Sequence, residues 1–178
     1  MMLSTTALET HAVRGRVVPQ IFALAVIVIA AIATAAWAES EAQVKAGLEV
    51  WKTAGCPDCH GPFSDGDKQR DEMPTGANLR GSRLDLATMK QTISCGRPDT
   101  GMPSFDGGAY TVRACYGQPL GNPPDNLYPA PRTLTPAEID DVIVYLQARV
   151  LGRRQITKDD CLFYYYDQPS WCDDFSGQ

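Results

Sequence analysis

Apolar and polar positions along this chain recur with helical periods. An unbroken apolar stretch comes first: Ile21 to Ala38 runs 18 residues without a charge. Beyond it, Val44, Gly47, Leu48 and Trp51 return at helical spacing, and Ser40-Glu41-Ala42-Gln43 has the form of a capping box ahead of them. Gly55 stands where a helix-ending glycine belongs. A second helix is predicted from about Asp85 to Ile93, with Leu86, Met89 and Ile93 on one face. The third pattern is the strongest. Thr135-Pro136-Ala137-Glu138 supplies an N-cap, an N1 proline and an N3 acid. Ile139, Val142, Ile143, Leu146 and Val150 continue as an apolar stripe, and Gly152 ends it. No strand pattern is long enough to suggest a sheet, and no internal repeat is visible. Pro62–Gly76 is polar and charged, and Gly117–Arg132 carries Pro119, Pro123, Pro124, Pro129 and Pro131. The fold expected is therefore all-α: three main helices joined by long, turn-rich loops.

The apolar stretch comes after Arg14 and Arg16 and closes on Ala36-Trp37-Ala38. A basic flank, an apolar run and an A-x-A site read as a secretory signal peptide over residues 1–38, cut after Ala38. The alternative is an uncleaved membrane anchor, since 18 apolar residues just reach spanning length. Both readings export the chain from Glu39 onward, and contact with the membrane arises only in the second. The organisation predicted is residues 39–152 as one domain and 153–178 as an extension. The whole chain, at 44% hydrophobic and 21% charged, has globular composition. Its net charge of −5 argues against nucleic acid as a partner. Removing residues 1–38 takes away two basic residues and one acid, which makes the net charge −6, and leaves His60 as the sole histidine.

Cys56-Pro57-Asp58-Cys59-His60 is C-x-x-C-H, the pattern of covalent c-type haem attachment. Two thiols add across the two vinyl groups, and the next residue offers its imidazole to the iron. A zinc knuckle, a redox C-x-x-C and a chance disulfide are the competing readings; a knuckle needs four ligands and a neighbouring Cys–His pair is awkward for one tetrahedral ion, and a redox site expects a βαβ pattern that is absent. With one histidine, a second imidazole ligand cannot come from this chain. Three methionines remain. Met73 sits in a polar, acidic loop, and Met89 falls on the apolar face of the second helix. Met102, between Gly101 and Pro103, is the candidate sixth ligand. The candidate cofactor-binding residues are thus Cys56, Cys59, His60 and Met102, with His60 and Met102 as metal ligands.

Over about Ala42 to Gly152 the chain resembles a class I c-type cytochrome with one haem. The resemblance rests on Gly47 and Trp51 before the haem motif, on Cys56, Cys59 and His60, on Asn78-Leu79-Arg80-Gly81, on Met102-Pro103, and on Tyr145-Leu146 in the last helix. It implies a cytochrome c-like fold around one covalent haem c. It also implies a crossing of the first and last helices, with Gly47 against the region of Tyr145. The departures are the extra cysteines, the insert after Met102 and the C-terminal tail.

Cys95, Cys115, Cys161 and Cys172 are left after haem attachment, an even number that suits disulfides in an exported protein. Three pairings exist; the short-loop solution, Cys95–Cys115 with Cys161–Cys172, is favoured, and its first bridge would enclose Met102. The tail carries Phe163, Tyr164, Tyr165, Tyr166 and Trp171 among acids, and reads either as packing onto the domain or as a docking patch. The function expected is a periplasmic single-electron carrier rather than an enzyme. Its partners would be redox proteins: a dehydrogenase as donor, an oxidase or cytochrome as acceptor. The alternatives are a membrane-anchored or complex-bound haem subunit, and a five-coordinate haem enzyme or gas sensor using Tyr110, Arg97 or Arg113 beside the iron.

Overall fold

Helix α1 covers 41–53 in the computed structural model, which describes residues 41–177. The signal peptide or anchor over 1–38, and Ser40 of the first capping box, lie outside the described residues. Val44, Leu48, Val50 and Trp51 form the buried face of α1. Gly55 then takes a left-handed conformation (φ 75°) that a side chain would strain, and the chain turns at once into α2, Cys56–His60.

Helix α3, Leu86–Cys95, begins at Asp85, whose side chain accepts a hydrogen bond from the Thr88 amide. Helix α4, Pro136–Arg149, has the full capping box at its start: Thr135 accepts from the Glu138 amide while Glu138 accepts from the Thr135 amide. Its buried residues Ile139, Val142, Ile143 and Leu146 belong to the predicted stripe, Tyr145 joins them, and Val150, the last of the stripe, is buried as the C-cap just past the helix. α1 and α4 approach until their backbones nearly touch. A Cβ added to Gly47 would lie 2.0 Å from the Asp141 carbonyl oxygen and 2.7 Å from Tyr145 Cβ, so only glycine fits this contact. This is the Gly47–Tyr145 proximity that the resemblance implies. On the other side of α4, Lys90 of α3 pairs with Asp140 at 2.5 Å.

The chain beyond α4 is not a loose appendage. Helix α5, Lys158–Tyr164, starts with its own capping box, Thr157 with Asp160. A 3₁₀ turn, Pro169–Cys172, comes next, and the Cys161–Cys172 bridge joins the two. Tyr164 enters the main core with residues of α1 and α4. Arg80, 2% exposed, reaches the same segment: it donates to the carbonyls of Arg153, Phe63 and Gln155 and pairs with Asp160 at 2.9 Å. The packing reading of the aromatic tail therefore holds for Tyr164, whereas Trp171 and Tyr166 are 64% and 52% exposed.

The other bridge is Cys95–Cys115. It anchors a small second core with Ala109 and Tyr110 at the end of α3. Both pairings are those the short-loop argument favours, and two disulfides suit an oxidising compartment. Among the described residues there is no β-strand, only isolated bridges such as Arg97 with Met102. None of the described helices is long and apolar enough to cross a membrane.

Candidate cofactor site

The C-x-x-C-H segment is itself a helical turn. Residues at i, i+3 and i+4 share one helix face, so Cys56, Cys59 and His60 are presented together. They open onto a cavity of about 850 Å³ enclosed by the three long helices and the loops between them. Its wall is largely apolar, with Leu79, Met89, Ile93, Phe105 and Leu146 among the lining residues. Met102 lines the same cavity, so all four candidate residues, separated by up to 46 positions in the chain, meet around one space.

His60 is held from two sides. Its Nδ1 lies 2.8 Å from the Ala77 carbonyl oxygen, a bond in which only the nitrogen can donate. That commits the proton to Nδ1 and leaves the Nε2 lone pair unprotonated. Burial also lowers the imidazole pKa, against the opposing effect of the Ala77 bond, and so favours the neutral ring a metal ligand must be. The loop that supplies Ala77 fits against the ring through Gly76, where an added Cβ would lie 2.7 Å from Nδ1. The Gly76 amide in turn donates to the Cys59 carbonyl at 2.8 Å. Trp51 stands on a further side, its ring 5.8 Å from that of His60, and its buried indole N–H has no partner among the described residues.

The two thiols are the free cysteines of a chain whose other four are bridged. Desolvation pushes Cys56 up to about 12 and raises Cys59, with Asp58 adding to the effect on Cys59. A redox C-x-x-C works through a stabilised thiolate, so this environment is unlike that of a disulfide oxidoreductase. Among the described residues no group of three or more His, Cys, Asp or Glu side chains converges as a metal-ion site. Two thiols, one imidazole with its outer nitrogen free, and a thioether thus stand around one apolar cavity.

Two features of the site are not legible in the sequence. Met73, in its polar loop, also lines the cavity, as does the core residue Met89. The Met73 loop is fixed by Lys68, whose ammonium donates to the carbonyls of Asp71 and Met73. Ala77 contributes through a backbone carbonyl, which no residue pattern announces. Of the three side chains considered for a distal role, only Arg97 is on the cavity lining. Tyr110 is buried in the second core, and Arg113 pairs with Asp106. No family model, no curated protein and no solved structure matches the chain.

Proposed function

We propose that this protein binds one haem c in a cytochrome c-like fold, that Cys56 and Cys59 would hold it covalently and that His60 and Met102 would be its metal ligands. Its function would be to carry single electrons between redox proteins in the periplasm. The observation that carries the reading is the convergence of Cys56, Cys59, His60 and Met102 on one apolar cavity, with the thiols unbridged and His60 Nδ1 already committed to Ala77. When bound, the haem supplies a one-electron couple whose potential is raised by methionine ligation and burial. The chain supplies the rest. Ala77 fixes the imidazole tautomer, Gly76 allows the ring its position, and the apolar wall keeps water out. If His60 and Met102 both held the group, the chain would leave no substrate site beside them, which would suit a carrier.

The donor in this reading is a periplasmic dehydrogenase and the acceptor an oxidase or another cytochrome. The acidic net charge suits a partner with a basic docking surface. The test is an optical spectrum of the purified protein, including the weak near-infrared methionine-to-iron band of the oxidised form. Met102→Ala is expected to abolish that band and Met73→Ala to retain it. A pigment-free protein defeats the haem reading. A haem protein whose band is absent, or is lost with Met73 instead, defeats the assignment of Met102.

A further inference from the structure

The C-terminal extension concentrates the charge of the chain. From Asp159 to Gln178 there are five acids and no base, whereas residues 39–158 carry 14 basic and 15 acidic residues. Five of the six net negative charges beyond residue 38 thus fall in the last 20 positions. The same segment is dense in aromatic rings, and rings and acids together recognise cations.

Two cations of the domain already meet rings of this segment with a carboxylate beside them. Arg149 of α4 stands 4.2 Å from the Phe163 ring centre and pairs with Asp159 at 2.7 Å. Lys52 of α1 stands 4.9 Å from the Tyr164 ring centre and 4.7 Å from that of Tyr166, with Glu49 at 3.8 Å. A third set of this kind has no cation over it among the described residues. Trp171 is 64% exposed, and its ring lies 5.1 Å from that of Tyr165. Asp167, Asp173 and Asp174 flank it in the chain; they are exposed and form no ion pair among the described residues. Lys158 donates to the Asp173 carbonyl oxygen, not to its carboxylate.

Trp171 is also held in place before anything binds. It lies in the 3₁₀ turn that the Cys161–Cys172 bridge ties to α5, and its amide donates to the Gln168 carbonyl at 3.1 Å. Tyr165 beneath it packs edge-on against Tyr164 and Phe63, which joins the stack to the core. An exposed tryptophan on a stapled turn loses little freedom on binding, which is what an interface anchor needs.

We propose that the face carrying Trp171, Tyr165, Asp167, Asp173 and Asp174 docks a basic segment, bearing arginine or lysine, on the surface of a partner protein. Its cation would lie over the Trp171 ring, the most favourable aromatic face for one, and the carboxylates would pair with it. The same acids repel nucleic acid and anionic lipid. This deepens the carrier reading: that the partner is a redox protein rests on that reading, whereas the docking chemistry does not.

The experiment is a ¹⁵N NMR titration of the full protein with the peptide acetyl-(Arg-Gly)3-amide, and acetyl-(Glu-Gly)3-amide as control. The Trp171 indole N–H signal, identified by its loss in Trp171→Ala, is expected to shift saturably while the signal of buried Trp51 stays. The shift should be absent with the glutamate peptide and should weaken as salt is raised. Trp171→Ala, and Asp173→Asn combined with Asp174→Asn, should each weaken the arginine peptide about threefold to fivefold, read at the backbone amides of 165–174. Asp67→Asn combined with Asp125→Asn removes the same charge from exposed positions elsewhere and should leave the affinity unchanged. All these side chains are exposed, so the variants are expected to fold. No saturable shift, an equal shift with the glutamate peptide, or equal weakening by the Asp67 and Asp125 changes overturns the proposal. A Trp171 signal that moves with protein concentration alone assigns the face to a second copy of this chain and overturns it too. The peptide needs no haem. A pigment-free protein that binds it defeats the carrier reading alone, and a haem protein indifferent to it defeats the docking face alone.

Discussion

At the scale of single residues, the candidate cofactor site depends on an absent side chain as much as on those present. Gly76 has no unusual backbone angle to explain it; what it offers is space for the His60 ring, 2.7 Å from where its Cβ would be. The ring cannot retreat easily, since the Ala77 bond holds one edge and Trp51 stands nearby. Gly76→Ala should therefore displace the imidazole, lengthen the bond to Ala77 and cost about 1–3 kcal/mol of stability, the usual penalty for overpacking. A urea titration gives the stability, and, if the proposed haem is bound, a shifted Soret band reports the displaced imidazole. An unchanged spectrum at unchanged stability would mean that the 73–78 loop yields instead of the ring. Cys56, Cys59, His60 and Met102 can all be named from sequence because their side-chain chemistry is local and distinctive. Gly76, the Ala77 carbonyl and the lining position of Met73 cannot, because each acts only once the loop is folded against α2.

At the scale of the elements, legibility is confined to whatever the backbone declares in a few adjacent residues. The α4 capping box lies within Thr135–Glu138, and Asp85 precedes α3 as its N-cap. The short helix α5 escapes a periodicity reading, although Thr157 and Asp160 have capping spacing, since the aromatic run after them has no clear apolar face. The partners of Arg80 are not legible either: Asp160 is 80 residues away, and no periodic pattern links the two. The α4 cap makes a pH prediction. Hydrogen bonds from the Thr135 amide, from Arg132 and from the Thr135 hydroxyl lower the Glu138 pKa from 4.5 to about 2. The unfolded chain thus takes up this proton before the folded one does. The stabilisation is complete above about pH 4.5 and is lost as the pH falls towards 2. Glu138→Gln should be less stable than wild type at neutral pH and should show a flatter decline of the urea midpoint across that acid window. Parallel declines in the two proteins would assign the acid sensitivity to other carboxylates.

At the scale of the whole molecule, two covalent loops of similar kind are placed on different parts of the structure. Cys95–Cys115 spans 20 positions and encloses both Arg97 and Met102, while the Phe105 and Asp106 amides bind the returning chain to the end of α3. Cys161–Cys172 spans 11 positions and closes α5 onto the 3₁₀ turn; the Arg80–Asp160 pair and Tyr164 separately fasten that extension to the core. Loop entropy assigns each bridge about 3 kcal/mol, because the term varies only with the logarithm of loop length. Global stability therefore cannot distinguish them, and local order can. Replacing Cys95 and Cys115 with alanine should lower the urea midpoint and speed amide exchange over residues 97–106, and with it weaken the methionine-to-iron band. Replacing Cys161 and Cys172 with alanine should cost a similar amount of stability, speed exchange over residues 158–172, and leave the band intact. The contrast arises from placement: one loop contains Met102 and Arg97 of the candidate site's wall, whereas the other holds a segment whose inner anchors survive loss of the bridge. A band lost equally in both variants would show that the C-terminal extension and the Met102 loop open as one cooperative unit, and the separate assignment of the two bridges would fall.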